Sequence, residues 1–196
     1  MTTDYRKDLS GTSWATVYAR QMARAPLVSA WLDALDLHPG DHVIDVGSGP
    51  GYVSLQAAAR VGPTGLVYAV DRSAEALDYL AGLQEAQGVD IIRRVLGDAA
   101  SLDIDDRQFQ AALITMVLHH TDDPERVVCR VGGMLPAGGR LVIAEFHPEG
   151  PCEIGAPAAE RLHPDRVRRW CTGAGLREVR YERQTPEHYC LVLERL

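Results

Sequence analysis

Val43-Ile44-Asp45-Val46-Gly47-Ser48-Gly49-Pro50-Gly51 is an apolar run that passes straight into three glycines on alternate positions, and the architecture follows from it. Beta-branched residues at 43, 44 and 46 suit a strand buried on both faces. The glycines let the backbone turn sharply and approach a ligand without a Cβ in the way. A helix expected from Tyr52 to about Arg60 then points its free N–H groups at whatever sits over the loop.

Outward from this stretch the chain alternates. Gly62-Pro63-Thr64-Gly65 breaks the helix, and Leu66 to Val70 reads as a second strand ending at Asp71. A helix from about Ser73 to Gln87 leads to a strand from Asp90 to Leu96, ended by Gly97-Asp98. Gln110 to Val117 is the fourth strand and runs into Leu118-His119-His120. Asp123-Pro124 is a cap followed by proline at the first helical position, with Val127, Val131, Met134 and Leu135 as the buried stripe. Arg140 to Phe146 is the fifth strand. Strands and helices in this order mean parallel βαβ units, helices on both faces of the sheet, and ligands at the carboxyl ends of the strands. Those ends carry Asp45 and the glycine loop, Asp71, Asp98, Thr115 to His120, and Glu145 to His147.

Before the first strand, residues 12–25 form an amphipathic helix (Trp14, Val17, Tyr18, Met22), and Pro26 opens a second with Val28, Trp31, Leu32 and Leu35 on one face. After the fifth strand, His147 to Leu162 is a proline- and glycine-rich loop. Pro164 then opens a helix, and Leu176 to Gln184 and His188 to Leu196 pair as an antiparallel hairpin.

Composition narrows the function. A chain of 196 residues buries about 70% of its unfolded surface without staples. Its net charge of −7 argues against an electrostatic nucleic-acid surface, and the arginines from Arg161 to Arg183 read as a solvated face. No apolar run nears the ~20 residues that span a bilayer, and the polar N-terminus Met1 to Asp8, which holds the one lysine, Lys7, reads as neither signal nor transit peptide. Cys129, Cys152, Cys171 and Cys190 stand apart, as expected of free thiols in a cytoplasmic protein, and no metal site is expected.

A glycine loop is shared by many nucleotide folds, but the spacing here departs from the dinucleotide fingerprint. The third glycine comes one residue early, at 51, and Tyr52 stands where glycine or alanine is needed for close approach over a pyrophosphate. Asp71 keeps the ribose role at the end of the second strand. At this point the sequence resembles the class I S-adenosylmethionine-dependent methyltransferases, and within them the type 11 group of small-molecule enzymes. The matching pieces are residues 43–51, Val67-Tyr68-Ala69-Val70-Asp71, Gly97-Asp98-Ala99, Val117-Leu118-His119-His120 with Asp123-Pro124-Glu125, and Leu135-Pro136-Ala137-Gly138-Gly139 with the strand after it.

The resemblance implies an α/β, Rossmann-like seven-stranded sheet, mostly parallel with an antiparallel C-terminal hairpin and helices on both faces. It implies S-adenosylmethionine as cofactor. Asp45 and the loop Gly47, Ser48, Gly49 and Gly51 would hold the methionine end; Asp71 would take the ribose hydroxyls, with Arg72 beside the adenine; Asp98 and Ala99 would bond the adenine; and Thr115 and Met116 would border the sulfonium. Gln110 stands where the family often has Asp. Methyl transfer from a sulfonium needs alignment more than acid–base help, so a base is optional. The candidates for it are His119, His120 and His147.

The expectation is one methyltransferase domain over 1–196: a helical cover (1–38), a cofactor-binding core (39–146), and a lid loop, helix and hairpin (147–196). It would act in the cytoplasm on a small-molecule acceptor as a monomer or homodimer, with no nucleic-acid partner and no membrane insertion. The alternatives are a non-catalytic S-adenosylmethionine-binding module and a nicotinamide-dependent oxidoreductase, the latter disfavoured by Tyr52 and Asp98.

Overall fold

A computed structural model describes residue 9, residues 11–102, residue 104 and residues 109–196. The polar segment Met1 to Asp8, with Lys7, lies outside the described residues. Helices α1 (Trp14–Met22) and α2 (Ala25–Leu35) precede β1 (His42–Val46), α3 (Tyr52–Val61), β2 (Leu66–Asp71), α4 (Ala74–Gln87) and β3 (Ile92–Leu96). Then come β4 (Ala111–Thr115), α5 (Pro124–Gly132), β5 (Arg140–Phe146), α6 (Pro164–Gly173), β6 (Leu176–Arg183) and β7 (His188–Arg195).

The seven strands form one sheet in the order β3-β2-β1-β4-β5-β7-β6. β1 to β5 pair in parallel, while β7 is antiparallel to both β5 and β6, as the hairpin reading expects. Alternate residues face opposite layers. Val43, Val67, Ala69, Leu113 and Val142 pack with buried residues of α2, α3 and α4; Ile44, Val46, Tyr68, Val70, Ile114 and Ile143 pack with α5 and α6. Each layer thus buries one side of a pleated surface, which is why β2, β4 and β5 read as largely apolar runs while the outer strands β3 and β6 are exposed and rich in charge.

The expected cap Asp123 starts α5, Ser73, the expected start of α4, caps it by accepting from the Ala76 N–H, and α6 opens at Pro164 as expected, capped by His163. The α2 stripe Val28, Trp31, Leu32 and Leu35 is buried as expected. The α1 stripe is not. No α1 residue is buried, and Met22 is 50% exposed. α1 packs across α3 and α4 at the sheet's edge rather than on the sheet itself, so it has no β-layer to cover its apolar side. β4 also stops earlier than expected, at Thr115, because Met116 turns to φ +58° and Leu118 to His120 form one short 3₁₀ turn.

The order places β1 between β2 and β4, so the first crossovers run one way and the later ones the other. That reversal opens a crevice outside the carboxyl ends of β1 and β4. β7 runs antiparallel, so its first residue, His188, pairs with Phe146 at the same edge.

Candidate functional site

The glycine loop sits at the reversal point. Gly47 and Ser48 both donate to the Val70 carbonyl (2.8 and 3.0 Å), tying the loop to the end of β2. Glycine is obligatory at two positions. A Cβ on Gly47 (φ +70°) would lie 2.3 Å from Val117, and one on Gly51 (φ +90°) would lie 2.3 Å from Leu80. The loop therefore presses against the β4 turn on one side and α4 on the other.

Asp45 is 1% exposed beneath this loop, and one of its oxygens accepts from Ser54 Oγ at 2.6 Å. Burial pushes its carboxyl up to about 7, Ser54 opposes the rise, and the charge of Asp71 adds to it. The expected place of Asp45 at the methionine end thus becomes a position below the loop, felt through its field. Asp71 accepts from the Gly49 N–H with one oxygen (2.8 Å) and from the Ser73 N–H with the other (2.9 Å). Burial raises its pKa, against the pull of those two N–H groups and of Arg72. The Arg72 N–H also bonds this carboxylate, so of its roughly four lone-pair sites one is left for a ligand hydroxyl. Ser48 Oγ is buried with no hydrogen-bond partner among the described residues, a polar atom in the loop that a ligand group can satisfy.

Arg72 and Asp98 are exposed beside this crevice; Asp98 turns the chain by accepting from the Ala100 N–H at 2.7 Å, and Ala99 is half-buried next to it. Thr115 is buried. Met116 holds its left-handed backbone while its N–H extends the ladder to the Ala144 carbonyl (2.8 Å). A non-glycine residue in that conformation costs about 1 kcal/mol or more and is found where a site needs it. Gln110 donates nothing to the crevice; its Oε1 accepts from the His42 N–H at the opposite end of the sheet (2.8 Å).

Of the three histidines, two come together and one does not. His119 Nδ1 lies 2.6 Å from Glu145 Oε2, both side chains almost wholly buried. Glu145 Oε1 accepts from the Leu118 N–H at 2.7 Å. Burial by itself would lift the Glu145 pKa, but His119, His120 and the Leu118 N–H outweigh it and hold the carboxylate below its ordinary range. The His120 ring stacks 4.1 Å from His119. His147 lies on the other side, its ring edge-on to Tyr189 and its Nδ1 accepting from the Glu149 N–H (3.2 Å). Burial and Arg183 lower its pKa.

Four further residues are decisive here. Gln21 on α1 donates to the Ser48 carbonyl (3.0 Å) and accepts from the Tyr52 N–H (3.1 Å), so it lies across the glycine loop. Arg161, read as one of a solvated row, is instead 6% exposed and holds the loop after β5. It donates to the carbonyls of Ala156, His147 and Ile154 and pairs with Glu187. Arg24 and His188 flank Phe146. Gln21 and Arg24 lie on a helix and its end where many polar residues would serve, so no sequence signal marks them. His188 was legible in principle, since the first residue of an antiparallel last strand must share the carboxyl edge.

A family model described as "Methyltransferase domain" matches residues 44–143. That span runs from β1 into β5; it takes in Asp45, the glycine loop, Asp71, Asp98 and Thr115 to His120, and stops before Glu145 to His147 and before His188. The chain belongs to the methyltransferase domain family. This methyltransferase domain is 33% identical over 114 residues to a 2-phytyl-1,4-naphtoquinone methyltransferase of Nostoc punctiforme, covering 57% of this chain and 50% of the relative. The chain spans about half the length, or less, of the curated relatives it matches. In fold it resembles a SAM dependent methyltransferase from Aquifex aeolicus (TM-score 0.79, 20% identity, 86% of this chain and 89% of that one). It also resembles a Burkholderia thailandensis 1,6-didemethyltoxoflavin-N1-methyltransferase with bound 1,6-didemethyltoxoflavin and S-adenosylhomocysteine (TM-score 0.70, 22% identity, 91% and 80% covered).

Proposed function

We propose that this chain is an S-adenosylmethionine-dependent methyltransferase acting on a small-molecule acceptor. The observation that carries the reading is the pair of carboxylates at adjacent strand ends, Asp45 buried and raised to about 7 with the charge of half-buried Asp71 contributing, beside a loop whose Ser48 hydroxyl lacks a partner among the described residues. Such a site gains most from a ligand that brings positive charge and hydroxyls, and the ammonium and ribose of S-adenosylmethionine do both. A pyrophosphate would face two carboxylates there.

When bound, S-adenosylmethionine supplies a methyl group already activated on a sulfonium. The chain's own residues bind and orient. Asp71 would accept from a ribose hydroxyl with its remaining lone pair, and Asp98, Ala99 and Arg72 would line the adenine end. Gly47, Ser48, Gly49 and Gly51 take the methionine end, with Asp45 setting the field from below. Thr115 and the strained Met116 border the sulfonium. His119 is the base we favour where an acceptor proton must be removed, because Glu145 fixes its Nδ1 and leaves Nε2 as the basic atom; His120 stacks beside it. His147 fits better as a loop anchor, since Nδ1 is already used.

We read residues 1–196 as one domain with the helical cover, core and C-terminal part given above. Net charge supports a small acceptor over a nucleic acid, and no helix among the described residues is long and apolar enough to cross a membrane. Four free cysteines suit the cytoplasm, two of them, Cys171 and Cys190, held inert by burial at about 12. The test is transfer of a labelled methyl group from S-adenosylmethionine to a panel of small acceptors. Transfer that fails with His119→Phe on acceptors carrying a dissociable proton supports the reading. Tight cofactor binding with no transfer to any acceptor favours the non-catalytic module.

A further inference from the structure

We propose that the acceptor is a planar oxyanion, a carboxylate, phenolate or enolate on a conjugated ring, anchored beside Phe146 by the Arg24 guanidinium and the Nε2–H of His188. This rests on the methyltransferase reading and names the substrate class of that same site.

His188 is 4% exposed, and its Nε2 is buried with no hydrogen-bond partner among the described residues. The tautomer follows from its neighbours. Thr185 Oγ1 already accepts from the N–H groups of Glu187 and His188 (3.1 Å each), so its own hydrogen goes to His188 Nδ1 at 2.9 Å. Nδ1 is therefore an acceptor and the orphaned Nε2 carries the proton. Burial and the charge of Arg24 depress its pKa to about 4, so the ring stays neutral and the donor stays in place. A buried donor without an acceptor is costly and calls for an explanation.

Arg24 supplies the second half. It is largely desolvated, enough to lower its pKa, yet among the described residues it makes one long hydrogen bond, to the Arg20 carbonyl (3.3 Å), and no ion pair. Its nearest buried carboxylate, Glu145, spends its oxygens on His119 and on the N–H groups of Leu118 and Phe146. Arg161 cannot share the task, because its guanidinium is taken up by three carbonyls and Glu187. Both open donors lie against one ring, itself 2% exposed and also covered by Arg161: Arg24 Cζ is 5.6 Å from the centre of Phe146, and the His188 ring is 5.1 Å from it. Two donors with no acceptor match an anionic oxygen, and the aromatic side chains gathered around them, Phe146, His119 and His188, suit a flat, conjugated body to carry it. His119 stands 5.4 Å from the same Phe146 ring, so an acceptor anchored at one edge reaches the candidate base with the other.

The experiment is a titration of the protein, alone and saturated with S-adenosylhomocysteine, with 2-naphthoate, 4-nitrophenolate and a cyclic 1,3-diketone enolate, each against its neutral amide or methyl ether. We expect at least one anion to bind about tenfold more tightly than its neutral partner. Arg24→Met should erase that preference while leaving S-adenosylhomocysteine affinity unchanged. His188→Met should weaken it, and His188→Gln, which restores a donor, should recover part of it. Melting temperatures identify any variant that fails to fold, and Arg24→Met, at a half-buried position, keeps the test decisive. Equal binding of every anion and its neutral partner, or a preference that survives Arg24→Met, overturns the proposal. Failure to bind S-adenosylhomocysteine would instead sink the methyltransferase reading, while the anion preference of the protein alone is still measured.

Discussion

Asp45→Asn is the substitution whose effect the structure fixes most closely. Asparagine has the same shape and can still accept from Ser54 Oγ, so only the ability to ionise is lost. The folded carboxyl titrates at about 7, against 3.8 when unperturbed. The folded protein therefore holds the proton over a range where the unfolded chain has released it, and stability falls as pH rises from about 4 through 7. A shift of about three pKa units corresponds to roughly 4 kcal/mol once pH exceeds 7. Part of this has already been lost at pH 5, so the advantage of Asn over wild type should widen by about 3 kcal/mol between about pH 5 and pH 8.5. Urea unfolding at the two pH values reads it directly. Parallel stability curves, with the same difference at both, would refute the claim that Asp45 is ionised at a cost. Because a cationic ligand recovers that cost, the same variant should bind S-adenosylmethionine more weakly at pH 8.5 despite being more stable.

Other consequences are more local. Glu145→Ala leaves His119 and the Leu118 and Phe146 N–H groups without their buried acceptor, so thermal unfolding should report a loss of about 3 to 5 kcal/mol, partly restored in Glu145→Gln. Gly51→Ala drives a methyl into Leu80 at φ +90° and should cost about 2 to 4 kcal/mol in urea, whereas Gly88→Ala, at φ +65° with open space around it, should cost only about 1. Gln21→Ala removes two bonds to the glycine loop, and hydrogen exchange should rise in α1 and at Tyr52 while the protection of β1 and β4 is kept.

The sheet was readable because its central strands, β1, β2, β4 and β5, are buried on both faces, which turns burial into apolar runs, and because glycine and proline punctuate the crossovers. Both strands next to the crevice and the starts of α4, α5 and α6 could be located that way. The three acidic strand ends were legible for the same reason: a carboxylate ending an apolar run has few other uses. What the sequence did not reveal depends on contacts across long separations. Arg161 looked solvated because its partners, Glu187 and the carbonyls of the loop after β5, are set by how that loop folds back. The α1 stripe looked like a core face because periodicity cannot tell a helix on a sheet from one across other helices. His147 and His119 have similar surroundings in sequence, yet side-chain alternation past β5 and the 3₁₀ turn after β4 send them to different neighbours.

The most direct test of the central claim is calorimetric titration of S-adenosylhomocysteine into wild type and Asp71→Ala. Asp71 both offers a lone pair to the ribose and holds the Gly49 N–H, so its loss should weaken binding about a hundredfold. Wild-type binding that Asp71→Ala leaves unchanged, or no wild-type binding at all, would contradict a cofactor seated between the glycine loop and the end of β2.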